Sequence, residues 1–126
     1  MHTVALAAVK KLFANGHNIY LIPQNLIEFW SVATRPADKN GLGLAPKKVD
    51  KDVEVLESIF TVLPDNASIY PEWRRLVTAH SVSGKQVHDA RIAAAMNVHQ
   101  ITNILTFNGD DFKRFPNITA IDPASV

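Results

Sequence analysis

The sequence predicts an α/β fold, a three-layer sandwich in which helices cover both faces of a mainly parallel sheet. Two observations carry this prediction. Short apolar segments alternate along the chain with longer segments whose apolar residues recur at helical spacing. A predicted helix also separates each apolar segment from the next, and parallel strands need such a connection. The predicted strands are residues 19–22, 61–63, 103–107 and 118–122.

Composition limits the kinds of protein that this chain can be. Its 126 residues are 47% hydrophobic and 20% charged, which is ordinary for one globular domain covering residues 1–126. The net charge of +1 excludes a global basic field, so any nucleic-acid contact has to come from a local patch. The lack of cysteine excludes disulfides and thiolate zinc sites and fits a cytoplasmic protein. No apolar run has the length of a membrane span.

The first half of the chain contains three predicted helices. The apolar stripe of the first helix consists of Ala5, Leu6, Val9, Leu12 and Phe13. Gly16 is expected to end that helix in a left-handed conformation. Asn25 is expected to cap the second helix, which runs through "LIEFWSVAT". Residues 35–45 form a loop by composition, and Pro46 begins the third helix. The inward residues of that helix are Val49, Val53, Leu56 and Phe60.

The second half contains two long helices and one short one. The stretch "YPEWRRLVTAH", residues 70–80, predicts a helix with Pro71 in its first turn. The next helix begins in "GKQVHDARIAAAM" and runs to about Val98, with His88 and Asp89 in its first turn. Residues 110–115, "DDFKRF", are expected to form a short helix before the last strand.

Acidic and amide side chains follow two of the predicted strands. These residues are Glu28, Asn108, Asp110 and Asp111. In parallel α/β sheets ligands bind beyond the carboxyl ends of the strands, so these side chains belong to the candidate site, and Asp89 begins a helix able to join them. Carboxylates that converge from separate elements repel one another unless they bind a hard divalent cation such as Mg²⁺ or Mn²⁺. Such a cation suits phosphodiester hydrolysis.

Each candidate residue also has a structural explanation. Asp89 and Glu28 can complement the dipoles of their own helices, a contribution of about 0.3–1 kcal/mol. Glu28, however, is flanked by Ile27 and Phe29, where a solvated surface glutamate is less expected. Asp110 and Asp111 are suitable helix caps, and a histidine such as His88 is more often a hydrogen-bonding residue than a metal ligand. The remaining candidates are expected to be core or solvated side chains, namely Trp30, Trp73, Lys85, Arg91, Lys113 and Arg114.

Four fragments taken together resemble the PIN domain family, especially its VapC-like toxins. They are "PQNLIEFWSVATRP", "NGLG", "VSGKQVHDARIAA" and "ILTFNGDDFKRF". The resemblance covers nearly the whole chain and implies an endoribonuclease that depends on Mg²⁺ or Mn²⁺ and acts in a toxin–antitoxin pair. It implies metal ligands at Glu28, Asp89 and Asn108, and a supporting role for Asp111. Under this nuclease interpretation, Lys85, His88 and Arg91 are the candidate phosphate contacts, in place of the solvated role given above for Lys85 and Arg91. RNA as the substrate follows from the family, because no aromatic-rich basic surface is evident in the sequence.

The chain departs from the family pattern at its start. PIN domains begin with a central strand that ends in an aspartate, and this chain starts in what resembles the helix after it, so we expect an N-terminally incomplete domain. Two hypotheses remain. The chain is either a metal-dependent ribonuclease or a catalytically impaired module that binds an antitoxin-like peptide or dimerises. We also expect segment 19–22 either to pair directly with segment 103–107 or to be covered by a second copy.

Overall fold

The computed structural model describes residues 2–126 and shows an α/β fold. The elements are α1 (His2–Ala14), β1 (Tyr20–Leu21), α2 (Pro23–Thr34), α3 (Pro46–Ile59), β2 (Thr61–Val62), α4 (Ile69–Ala79), α5 (Gln86–Val98), β3 (Asn103–Leu105) and β4 (Thr119–Ile121). Short 3₁₀ turns occupy Ala37–Lys39, Gly109–Phe112 and Pro123–Ser125. Between residues 2 and 126, every helix is too short or too polar to span a bilayer.

The chain divides into two compact units. The first unit contains α1 and residues 65–126, and the second contains residues 19–64. In the first unit α4 packs on α5, α5 packs against the 109–112 turn, and β3 pairs in parallel with β4. In the second unit β1 pairs in parallel with β2, and α2 packs on α3. The prediction of one domain over residues 1–126 stays a prediction.

The strands are parallel, as predicted, but they are shorter and form two separate pairs. Tyr20 lies opposite Thr61 in one pair, and Leu105 lies opposite Ile121 in the other. Strand β1 is short because Pro23 begins α2 directly after Ile22. Segments 19–22 and 103–107 belong to different units, so their direct pairing and the alternative, dimerisation, both stay predictions.

Three local predictions about the helices need correction. Asn25 is not the cap of α2, because that helix already begins at Pro23. The Asn25 side chain instead accepts a hydrogen bond of 2.9 Å from the backbone N–H of Ile22. The apolar stripe of α1 is only partly covered, since Leu6 and Phe13 are exposed while Ala8 is buried. The predicted helix over residues 110–115 is a single 3₁₀ turn, Gly109–Phe112.

Other predictions of helix limits are confirmed. Pro46 begins α3, Pro71 lies in the first turn of α4, and α5 ends at Val98. Gly16 has a φ of 81° after the end of α1, the left-handed conformation that favours glycine. Val49 is the fully buried member of the α3 stripe, and the other three residues of that stripe are half-buried.

The core of the first unit is built on small side chains of α5. Its fully buried alanines are Ala90, Ala93, Ala94 and Ala95. A run of alanines buried at consecutive positions covers more than one face of a helix, so α5 is enclosed by its neighbours. Ile69 and Leu76 supply the large buried side chains of α4, which packs on α5. The small residues of α5 therefore allow neighbouring elements to approach closely.

A polar network joins α4 to α5. Arg75 donates two hydrogen bonds to the Glu72 carboxylate, at 2.7 and 2.8 Å, and the side-chain amide of Asn97 donates a third at 2.9 Å. The Arg75 hydrogen bonds hold the pKa of Glu72 below its usual value. Partial burial acts in the opposite direction, and the Asn97 hydrogen bond adds to the lowering of the pKa. The ionised form of Glu72 is thus favoured by folding.

We expect Ala94→Leu to lower the free energy of unfolding by about 1–3 kcal/mol, because the enclosed site has no room for three more carbon atoms. Urea denaturation followed by circular dichroism measures the change. Ala7→Leu, at an exposed position of α1, is the matched control and should unfold like the wild type. Equal stability of the Ala94→Leu protein would show that α5 is not tightly packed.

We expect Glu72→Gln to destabilise the protein at neutral pH and to reduce its sensitivity to acid. In the wild type the contribution of Glu72 is fully present above the unperturbed pKa of 4.5, and it is lost as the pH falls through the lower pKa of the folded state. The unfolding curves of the two proteins should therefore converge in acid. Urea titrations between neutral pH and about pH 3 test this. Glu57→Gln, an exposed position of α3, should follow the wild type throughout.

Candidate functional site

The first turn of α5 is fixed by contacts on both sides. Gly84 precedes it with a φ of 64°, a conformation that side chains of L-residues disfavour. The indole N–H of Trp73 donates a 2.8 Å hydrogen bond to the carbonyl oxygen of Val87, and Arg114 donates one of 2.6 Å to the side chain of Gln86. Asp89 lies in this turn, as predicted, and is half-buried. The carboxylate is thus held near the positive end of the α5 dipole.

The carboxyl end of β3 leads directly into the other predicted site residues. The Thr106 hydroxyl accepts a 3.0 Å hydrogen bond from the backbone N–H of Asn108, which turns the chain out of the strand. The N–H of Asp111 then donates a 3.1 Å hydrogen bond to the Asn108 carbonyl and closes the 3₁₀ turn. Asn108 is exposed and Asp111 is half-buried. A Cβ on Gly109 would lie 3.3 Å from that of Ala120, so this turn lies close against β4.

Three of the four predicted catalytic residues therefore lie on elements of one unit that contact each other. Asp89 is in α5, Asp111 is in the 109–112 turn that packs against α5, and Asn108 immediately precedes that turn. Their assignment as site residues stays a prediction.

Glu28 lies in the second unit and differs from expectation in two respects. It is the sixth residue of α2 and lies in the second turn of that helix, because α2 begins at Pro23 rather than after Asn25. It is also exposed, although its apolar neighbours favoured a covered side chain. The explanation is that Glu28 and Ile27 both point to solvent, while Gln24 is buried and donates a 3.1 Å hydrogen bond to the Glu28 carboxylate. The prediction that Glu28 and Asp89 face one cleft stays a prediction.

The predicted phosphate contacts differ in their surroundings. Lys85 is the N-cap residue of α5 and is exposed, as is His88 one turn later. Arg91 lies 3.3 Å from the Asp65 carboxylate, so its guanidinium is already part of an ion pair. A phosphate would have to compete with Asp65 for Arg91, whereas Lys85 is presented to solvent.

Asp110, the neighbour of Asp111, forms an ion pair with Lys113. The Lys113 ammonium group donates a 2.6 Å hydrogen bond to it, and this bond, together with the positive charge, lowers the pKa of Asp110. Both side chains are highly exposed. Asp110 is therefore an ionised surface residue paired with Lys113, and its expected role as a helix cap is wrong, because Asn108 is the N-cap residue of this turn.

The oxygen ligands of the candidate site are of the type that a hard cation prefers, but each unit supplies too few of them. Asp89, Asp111 and Asn108 offer only oxygen ligands, which Mg²⁺ and Mn²⁺ prefer. Within neither unit, however, do three histidine, aspartate or glutamate side chains of the described residues gather closely enough to hold a metal ion. The residues of one unit therefore do not fit a complete metal centre by themselves, and no catalytic step through a metal follows from them.

Two surfaces emerge that the sequence reasoning did not consider. The α2–α3 groove is an apolar depression of about 380 Å³ in the second unit, lined by Leu26, Ile27, Trp30, Ser31 and Val53. The α4 surface is a shallow depression of about 590 Å³ in the first unit, lined by Tyr70, Pro71, Arg74, Arg75, Thr78 and Ala79. The spacing of Tyr70, Arg74 and Thr78 at every fourth residue was the available signal for the second surface.

Comparison with known proteins agrees with this architecture. No curated protein matches the chain at a significant level. A family model described as "PIN domain" matches residues 2–118, which include all of the second unit, most of the first unit and every predicted site residue. PIN domains have an α/β fold of the nuclease type, and many are metal-dependent ribonucleases. This chain belongs to the PIN domain family.

Proposed function

We propose that this PIN domain is an endoribonuclease that hydrolyses RNA phosphodiester bonds and serves as the toxin of a toxin–antitoxin pair. The observation that carries the proposal is the contact between α5, with Asp89 in its first turn, and the turn that presents Asn108 and Asp111. The family match over residues 2–118 supports the nuclease assignment.

The proposal assigns Asp89, Asn108 and Asp111 to the reactive end of the first unit. Asp89 and Asp111 supply negative charge, and Asn108 supplies a neutral amide oxygen. Glu28, Asp89 and Asn108 are the proposed ligands of Mg²⁺ or Mn²⁺. Because each unit supplies so few ligands, we do not expect one unit alone to bind the metal ion tightly.

RNA binding in this proposal uses the start of α5. The N–H groups and dipole of a helix N-terminus favour a phosphate group, and the exposed Lys85 adds a positive charge there. His88, one turn further along, is exposed on the same helix. Arg91 contributes only where the phosphate displaces Asp65 from its ion pair.

We expect Asp89→Asn to reduce RNA cleavage by at least about tenfold, the lower limit seen even for residues that support a metal ligand indirectly. The substitution keeps the size of the side chain and removes its charge. Cleavage of a labelled single-stranded RNA is measured with Mg²⁺, with Mn²⁺ and with EDTA. Asp50→Asn, at an exposed position of α3, is the control for loss of one negative charge. A wild type that cleaves no RNA in either metal, or an Asp89→Asn protein of full activity, would contradict the proposal.

A second candidate function is a protein-binding module, and the α2–α3 groove favours it. Ile27 lines this groove and is 67% exposed, and Leu26 and Trp30 lie beside it. Large exposed apolar side chains that share a depression are typical of protein interaction sites. The proposed occupants are an antitoxin-like peptide or a second copy of this chain. This function is compatible with nuclease activity and does not depend on it.

We expect Ile27→Arg to weaken self-association by at least about tenfold, because it removes the burial of a large aliphatic side chain and introduces a charge. Sedimentation velocity and light scattering over a dilution series measure the dimer dissociation constant. Val55→Arg is the matched control, since Val55 is 55% exposed on α3 but does not line the groove. A wild type that is monomeric at every concentration would exclude the homodimer.

A further inference from the structure

We infer that the α4 surface binds single-stranded RNA, with Tyr70 as a stacking platform for a base and Arg74 as a phosphate contact. The inference rests on the proposed function in taking RNA as the ligand. It adds a binding surface on α4 that is separate from the residues proposed for cleavage.

The Tyr70 ring packs against a neighbouring ring although it is exposed. Its ring lies 5.8 Å from the ring of Trp73, centroid to centroid, and the two planes differ by 27°. Trp73 is itself half-buried and is anchored to the carbonyl oxygen of Val87 by its indole N–H. The Tyr70 residue remains 64% exposed. A base that stacks on a preoriented ring loses less entropy than one that must order a mobile side chain.

Arg74 gives the α4 surface a positive charge that is not paired with an acidic side chain of residues 2–126. Arg74 lies one turn after Tyr70, and its guanidinium makes no hydrogen bond or ion pair with residues 2–126. Arg75, by contrast, is paired with Glu72 at 2.7 Å. The lining contains two arginines and no acidic residue. Because the free charge lies one helical turn from an exposed aromatic ring, the surface is complementary to a polyanion that carries stacking bases.

The α4 surface is also connected to the proposed cleavage residues. Trp73 stacks on Tyr70 and donates its indole N–H to the carbonyl oxygen of Val87, which lies two residues before Asp89. An RNA strand bound on Tyr70 therefore lies beside the start of α5. The α2–α3 groove is not complementary to a polyanion, since its lining carries no charged residue. RNA is thus the occupant that the chemistry of the α4 surface favours over an apolar peptide.

The test measures RNA binding separately from cleavage. Fluorescence anisotropy of a short labelled single-stranded RNA is recorded in EDTA for the wild type and for Tyr70→Ala, Tyr70→Phe, Arg74→Ala and Arg35→Ala. We expect Tyr70→Ala to weaken binding by at least about fivefold, the lower limit for loss of one stacked base, and Tyr70→Phe to bind like the wild type. Arg74→Ala should weaken binding and reduce the slope of log K against log salt by about 0.7, the value for one phosphate contact on a single strand. Arg35→Ala is the matched control, because Arg35 is exposed in the second unit and should not affect binding.

The outcomes separate this inference from the proposed function. If the wild type binds and cleaves RNA and neither Tyr70→Ala nor Arg74→Ala changes binding, the inference is wrong and the nuclease proposal stands. If the wild type neither binds nor cleaves RNA, both fail. If Arg74→Ala alters self-association in sedimentation but leaves RNA binding unchanged, the α4 surface contacts protein and the inference is overturned. Thermal melts of each variant establish that the fold is intact.

Discussion

The packing of α4 on α5 is the constraint on which the first unit depends. It requires small side chains on α5, and the buried alanines of that helix supply them. Two hydrogen bonds fix the position of α4 against α5, one from Trp73 to Val87 and one from Asn97 to Glu72. The first lies at the start of α5 and the second near its end, so the helix is held at both ends. The position of Asp89 follows from this arrangement, because it lies in the turn that Trp73 anchors.

The same packing explains why the charged residues of the first unit differ in their accessibility. Glu72 accepts hydrogen bonds from Arg75 and Asn97 and is committed to joining the two helices. Asp65 holds Arg91 in an ion pair. Arg74 is exposed, and its guanidinium pairs with no side chain of residues 2–126. The whole chain has a net charge of only +1. The surface at Arg74 is nevertheless locally positive, because the acidic residues nearby are already paired with other side chains.

The short strands have a different consequence. Each ladder contains only two or three residue pairs, so backbone pairing contributes little and the helices carry most of the packing. In the second unit α2 packs on α3 but leaves Ile27 exposed. Covering so exposed an apolar side chain with a partner would be favourable, and this is the physical basis for the proposed protein-binding function. The groove proposed for protein binding therefore lies in the second unit, whereas Asp89, Asn108 and Asp111 lie in the first unit.

The sequence by itself determined the local features of this protein. Helical periodicity and proline placement predicted α3, α4 and α5 closely, because these signals act within one or two turns. The motif around Asp89 likewise indicated the PIN family, and the family match agrees. Tertiary structure alone decided which strands pair, since pairing depends on residues far apart in sequence. It also decided that Glu28 is exposed and Arg74 unpaired, because side-chain partners come from other elements that periodicity does not describe.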